Sequence, residues 1–176
     1  MTRCISRRAA AGLLAGAAFA PLLPGSLARA GRIIDLKGGG FQPINIAVAP
    51  FVGDDAAHTV TAVTLNNFKR SVFLNPIDPG ALPANAAPPD AAPHLAAFKA
   101  VNAQFVLTGR SQRVGDGRLK TEFRLFDVTT GEQVAGQQYL TEAANTRRVA
   151  HLLSDAVFTR ITGEKGFFDT RVVFVD

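Results

Sequence analysis

His58, His94 and His151 are the only histidines in the chain, and histidine is the residue best placed for proton transfer or metal ligation near neutral pH. None sits in an H-E-x-x-H pattern or beside a G-x-S-x-G nucleophile turn, and each falls in or near a different predicted helix, so structural positions at the surface are the simpler reading. Asp54 and Asp55 are adjacent carboxylates of the kind a hard cation takes, but no second acidic or histidine cluster lies near them, and an aspartate just before a helix serves as its cap. Gly38, Gly39 and Gly40 lack the following Lys-Ser or Lys-Thr of a phosphate-binding loop, and no helix opens after them; a flexible joint accounts for them. Asp127 with Thr129, Thr130 and Gly131 resembles part of a phosphoryl-transfer signature. The lysine between aspartate and threonine is missing, and a hairpin turn explains the residues. Arg110, Arg113, Arg118 and Arg124 would make a basic strip, yet Glu122 interrupts it and no Trp or Tyr is interleaved for base stacking, so nucleic acid is not an expected partner. The residues therefore point to no catalytic site, no metal and no cofactor.

The elements that carry these residues follow from pattern. The run 44–51 (INIAVAPF) is nearly all apolar, as a central strand buried on both faces would be, with Pro50 marking its end. A helix is predicted from about 56 to 70, with Ala56, Val60, Val63 and Phe68 forming its apolar stripe and Lys69 and Arg70 favourably placed at its carboxyl end. A short strand over 72–74 comes next, followed by a loop rich in proline and alanine over 75–93. A short helix from Pro93 to about Val101 turns Leu95 and Phe98 inward. A meander follows. Its first strand is 105–114; Gly115, Asp116 and Gly117 make the turn; and in the second strand Leu119, Thr121, Phe123 and Leu125 alternate with Lys120, Glu122 and Arg124, giving one buried and one wet face. A turn at 129–131 leads to the third strand, 133–140. The clearest helix runs from 146 to 161, with Asn145 or Thr146 as its cap and Gly163 as its end. The whole predicts an α/β (α+β) domain: a mixed sheet of about five strands with two to three helices packed on it.

The first 30 residues are set apart from this domain. Arg3, Arg7 and Arg8 precede an apolar stretch from 9 to 23, and Ala28-Arg29-Ala30 supplies small residues at the two positions a signal peptidase reads, so cleavage is expected after Ala30. Pro21, Pro24 and Gly25 break the stretch and make it a poor membrane span; no stable membrane insertion is expected after cleavage. Ser6-Arg7-Arg8 leaves both the Sec and the twin-arginine routes open. Cys4, the only cysteine, leaves with this leader, so the remaining chain can form no disulfide. The leader holds four of the 19 basic residues and none of the 14 acidic ones, so 15 basic residues remain against 14, and the basic character of the whole chain is no footprint for nucleic acid.

Between leader and domain lies residues 31–40. The run RIIDLK (32–37) is apolar and β-prone, and the three glycines after it form a hinge. Such a segment can add a strand to an exposed sheet edge, its own or a neighbour's. The last run, 171–175 (RVVFV), reads as a strand with no turn after it, which suggests a piece of a longer protein.

Four stretches together resemble one family: RIIDLKGGGFQPINIAVAPF (32–51), FVLTGR (105–110), FRLFDVTTG (123–131) and HLLSDAVFTRITGEKGFFDTRVVFV (151–175). Their order and spacing are similar to the amino-terminal domain of TolB, the periplasmic protein of the Tol–Pal system, and the ITGEKG-x-F-x-TR run is the most specific part. The resemblance implies a non-enzymatic periplasmic module over 41–166, with 167–176 beginning a six-bladed β-propeller that is absent here. It implies roles in envelope integrity and cell division. It places the site for the carboxyl-terminal domain of a TolA-like inner-membrane protein at Gly31, Arg32, Ile33, Ile34, Asp35 and Leu36, hinged at Gly38, Gly39 and Gly40. It gives the contact with a Pal-like lipoprotein mainly to the propeller. The residues by themselves also leave open a ligand-binding or regulatory domain of an envelope enzyme complex.

Overall fold

The computed structural model describes residues 42–83 and 91–170, all within the unit Gly31–Asp176. The element order is β1 (Ile44–Val48), β2 (Val52–Gly53), α1 (Asp55–Arg70), β3 (Leu74–Pro76), α2 (Leu95–Ala100), β4 (Phe105–Arg113), β5 (Arg118–Asp127), β6 (Gln133–Glu142) and α3 (Thr146–Thr162), with short 3-10 turns at Pro79–Ala81 and Ala143–Asn145. Five strands lie in the order β3-β1-β4-β5-β6, and β2 also pairs with β4. The β1–β3, β1–β4 and β2–β4 pairings are parallel, while β4–β5 and β5–β6 are antiparallel, so the sheet is mixed as the pattern predicts.

The predicted strand 44–51 ends at Val48, and a second short strand, β2, resumes on the same track at Val52, just past the predicted run. Val48 lies opposite Leu107 and Val52 opposite Arg110, so four steps on this side match three on β4. The extra residue falls at Ala49-Pro50-Phe51, where Pro50 has no N–H to give a ladder. Gly53 closes the bulge with φ 147°, its Cα pressed against the Ser111 carbonyl, where no side chain fits. The bulge also swings the Phe51 ring over Gly109 of β4: a Cβ there would come within 2.7 Å of Phe51 Cδ1 and 2.6 Å of the Glu122 carbonyl oxygen.

Alternation assigns the faces. Ile46, Val48, Phe105, Leu107, Phe123 and Leu125 point to the face that α1 and α3 cover, where Val60, Phe68, Leu153, Val157 and Phe158 complete the larger core. Ala47, Val106 and Val128 point the other way, into a smaller core closed by Phe98 of α2 and Ala103. The expected stripe on α1 is buried at all four positions, and the wet-and-dry alternation of β5 holds from Arg118 to Leu125. Both hairpin turns carry a glycine with φ 80°, Gly117 and Gly131.

Two local expectations differ. The strand after α1 is Leu74–Pro76, two residues later than predicted, because Val72 is exposed and the Phe73 carbonyl already accepts from the Ile44 N–H. At α3, neither expected residue caps: Asn145 Nδ2 donates to Thr141 Oγ1 and the Thr146 hydroxyl to the Ala143 carbonyl, because the 3-10 turn leads straight into the helix. Gly163 does end α3, with φ 80°. Beyond it the chain folds back: Asp155 accepts from the backbone N–H groups of Phe168 (2.7 Å) and Asp169 (3.1 Å).

Candidate interaction surface

The residues expected to bind a partner, Gly31, Arg32, Ile33, Ile34, Asp35 and Leu36, lie outside the described residues. So do the hinge glycines Gly38, Gly39 and Gly40 and the cleavage residues Ala28 and Ala30. The other residues with chemical potential are all placed. Asp54 Oδ1 accepts from the Ala56 N–H (3.0 Å) and its Oδ2 from the Arg113 N–H (3.0 Å), so this carboxylate caps α1 and ties it to the end of β4. Asp127 Oδ1 accepts from the N–H groups of Thr129 (2.7 Å) and Thr130 (3.2 Å), which makes it the organiser of a hairpin turn. His58 and His94 are exposed, on α1 and just before α2. His151, half-buried on α3, receives at Nδ1 a 3.0 Å hydrogen bond from Asn67 Nδ2, which also donates to Ser154 Oγ at 2.8 Å. His151 thus works as a polar fastener between α1 and α3. Among the described residues, no three His, Asp or Glu side chains converge in a metal-binding cluster.

Of the four arginines, only Arg113 leaves the face that alternation gives to the others. Register puts Arg110 opposite Glu122 and Thr108 opposite Arg124, so Arg110 and Arg124 share the face turned away from α1 and α3. Arg113 and Arg118 sit at the hairpin end, where Arg118 Nε pairs with Asp116. That hydrogen-bonding, first from the Arg118 backbone N–H and then from its side chain, holds the Asp116 carboxyl below its usual range. The face shared by Arg110 and Arg124 also carries Lys120 paired with Glu122 (3.4 Å), and exposed Val52 and Leu140. Beneath it Thr108 is buried, with its hydroxyl unpartnered among the described residues.

A second surface lies at the edge strand β6. Its carboxyl half and the start of α3 enclose a groove of about 200 Å³, lined by Tyr139, Leu140, Thr141, Arg148, Val149 and Leu152. Burial, with the nearby Asp155 carboxylate adding to it, raises the Tyr139 phenol above its ordinary range. Nothing in the composition or spacing of 133–152 signals this groove, because it depends on where α3 crosses the sheet.

The described residues form a layered scaffold with an open sheet face and an open edge. Residues 32–134 match the family model of the TolB amino-terminal domain, more than half of the chain. The chain belongs to the TolB amino-terminal domain family. The crystal structure of TolB from Acinetobacter baumannii superposes with a TM-score of 0.62 at 26% identity, over 71% of this chain and 30% of that one. The chain therefore spans less than a third of that TolB. Lower fold similarity links it to the LpoB carboxyl-terminal domain from Escherichia coli (TM-score 0.48, 13% identity, 60% of this chain and 87% of that one). The PelC dodecamer from Paraburkholderia phytofirmans gives a TM-score of 0.45 at 22% identity, over 68% of this chain and 88% of that one. As a TolB amino-terminal domain, the chain is a periplasmic, non-catalytic interaction module related to the Tol–Pal system.

Proposed function

We propose that this domain recruits a TolA-like inner-membrane protein through residues 31–36, as part of a Tol–Pal complex that supports envelope integrity and cell division. The observation that carries the reading is the extent of the family match: it begins at Arg32 and so takes in residues 32–36 of the leading segment along with strands β1 to β5. The segment's chemistry suits the task. Ile33, Ile34 and Leu36 offer apolar contacts, and an extended backbone offers the main-chain hydrogen bonds of strand addition. Gly38, Gly39 and Gly40 give it the freedom to exchange one sheet edge for another, so binding becomes a shift between docked and released states. Export with cleavage after Ala30 leaves Gly31 as the first residue of the working protein, which amino-terminal sequencing of periplasmic material would check. Residues 167–176 would lead into a β-propeller, the surface assigned to a Pal-like lipoprotein. Neither nucleic acid nor stable membrane insertion has a part in this reading.

The test is isothermal titration of the purified chain, with and without residues 31–36, against the carboxyl-terminal domain of a TolA-like protein. Deletion should abolish binding while the thermal midpoint stays within a few degrees. An unchanged Kd after deletion would remove the site assignment.

A further inference from the structure

We propose that the outer edge of β6, with the groove between β6 and α3, is a second docking site, for an extended segment of another protein that carries a branched apolar side chain two residues from a carboxylate, so that both fall on the face of the groove. The proposal rests on the geometry of this edge and is independent of the role given to residues 31–36.

Hydrogen bonds at the ends of β5 fix which backbone groups of β6 point outward. The Asp127 N–H donates to the Glu132 carbonyl and the Asp127 carbonyl accepts from Gly131, so Asp127 faces β6; the Arg118 carbonyl accepts from the Val114 N–H, so Arg118 faces β4. Strand groups alternate, so Leu119, Thr121, Phe123 and Leu125 face β6, and their register partners Thr141, Tyr139, Gln137 and Ala135 face back. Gly136, Gln138 and Leu140 therefore aim N–H and C=O away from the sheet. That is a template for one more strand, and natural sheets blunt such edges with proline, lysine or brevity. The opposite edge follows the rule: β3 has three residues and ends in Pro76. β6 has ten residues, no proline, no basic residue, and Glu142 as its only charge. Its amino-terminal part is covered, since the bulged Val134 is out of register and its carbonyl accepts from Arg160 Nε at 2.6 Å. The carboxyl half, Gly136 to Leu140, has no such cover among the described residues.

The groove supplies selectivity. An added strand places every second side chain on the face of Tyr139 and Thr141, against Val149 and Leu152 of α3, in a space suited to one branched aliphatic group. Its other side chains meet Leu140, which is 47% exposed on the open face. The rim is positive: the first turn of α3 has Arg147 and Arg148 and no acidic residue. The Arg148 side chain is 53% exposed, and its ion pair with Asp169 is 3.5 Å long, which leaves its guanidinium able to take a second carboxylate.

The chain has one tyrosine and no tryptophan, so its tyrosine emission reports Tyr139, inside the groove. The probe is an acetylated, amidated octapeptide of threonine and valine with a leucine and an aspartate two residues apart at its centre, so that both side chains fall on one face. Two relatives accompany it: one with asparagine for the aspartate, and one N-methylated at alternate residues so that it cannot pair with a strand. The probe should change Tyr139 emission saturably; the N-methylated and asparagine forms should each bind at least tenfold more weakly. Arg148→Gln should erase the difference between aspartate and asparagine forms, and Gln138→Pro, which removes one outward N–H, should weaken the probe at least tenfold. Absence of probe binding, equal binding of the N-methylated form, or an aspartate preference that survives Arg148→Gln would each overturn the proposal. A chain without residues 31–36 should bind the probe as the full chain does. A tenfold gain on that deletion would make the chain's own leading segment the occupant, and competition from self-association at high protein concentration would make it a second copy; either result overturns the assignment to another protein.

Discussion

Gly109→Ala should destabilise the domain, and the sign of the effect is the test. Gly109 lies inside β4 with no positive φ, so its backbone suits alanine. On backbone grounds alone, exchanging glycine for alanine stabilises by about 0.4–1 kcal/mol through the unfolded chain. Space argues the other way. The new Cβ would lie 2.6 Å from the Glu122 carbonyl oxygen and 2.7 Å from Phe51 Cδ1, and another atom of the same ring is closer still. The carbonyl belongs to the β4–β5 ladder, so it cannot retreat without parting two strands. The ring is 4% exposed in the core, held where the bulge at Ala49-Pro50-Phe51 delivers it. Overpacking of this kind costs about 1–3 kcal/mol, and two rigid neighbours put the expected net loss near 2 kcal/mol. For a domain of this size that lowers the thermal midpoint by roughly 5–10 °C. With no tryptophan in the chain, far-UV circular dichroism with urea and heat is the assay. A substituted protein as stable as the parent, or more so, would refute the reasoning about Phe51 and the bulge.

Asn67→Ala should cost about 2 kcal/mol in urea unfolding, because it leaves the Ser154 hydroxyl and His151 Nδ1 without the donor they share in the α1–α3 interface. Asp54→Ala should cost about 1–2 kcal/mol by the same measurement, since it removes the cap of α1 and the tie to the Arg113 N–H. The Tyr139 phenol is held above its ordinary 10.0, by burial first and by Asp155 second, so its stabilising contribution is complete below pH 10 and lost as pH rises through the folded-state value. Titration of the phenolate absorbance, which only this tyrosine can give, should show a midpoint above 10, and Asp155→Asn should lower it.

What the sequence made legible, and what it did not, divides along physical lines. The β5 alternation was readable because one face is wet and one dry, so the polarity of each residue reports its side. α1 and α3 were readable because each buries a stripe against the sheet. The run 44–51 hid its bulge: both faces of the strand are covered, every residue but Asn45 is apolar, and no period records that one residue is out of step. The β3 register was missed for a related reason, since Val72 and Phe73 are as β-prone as Leu74, and only the pairing with Ile44 decides among them. Of the four arginines, alternation puts Arg110, Arg118 and Arg124 on one face, with Glu122 among them, and sends Arg113 to the other. The groove at β6 combines residues from a strand and a helix at an angle no spacing encodes. Residues 32–36 fall within the stretch that the family model matches.

The run that most specifically resembles the family, ITGEKG-x-F-x-TR, is a structural device in this fold. Gly163 ends α3 in the left-handed region, and the chain turns back along the helix it has just left. Gly166 then lies on Asp155 so closely that a Cβ would come within 2.6 Å of that residue's Cα and Cβ. Only with the backbone this near can the Asp155 carboxylate reach the N–H groups of both Phe168 and Asp169. Phe167 and Phe168 then pack edge-on against Phe158, at 5.3 and 5.8 Å between ring centres, and Phe168 also meets Phe68. The strap therefore fixes the backbone of residues 166–169 against α3. Gly166→Ala should lift it: hydrogen exchange at the Phe168 and Asp169 amides should quicken at least tenfold, while amides of β4 and β5 keep their protection, because the ring contacts of the strap are with α1 and α3 at the margin of the larger core. If those two amides exchange as slowly as before, the close approach at Gly166 is not what holds the strap. If β4 and β5 lose protection in step, the strap is part of the core and does not act as a separately releasable exit.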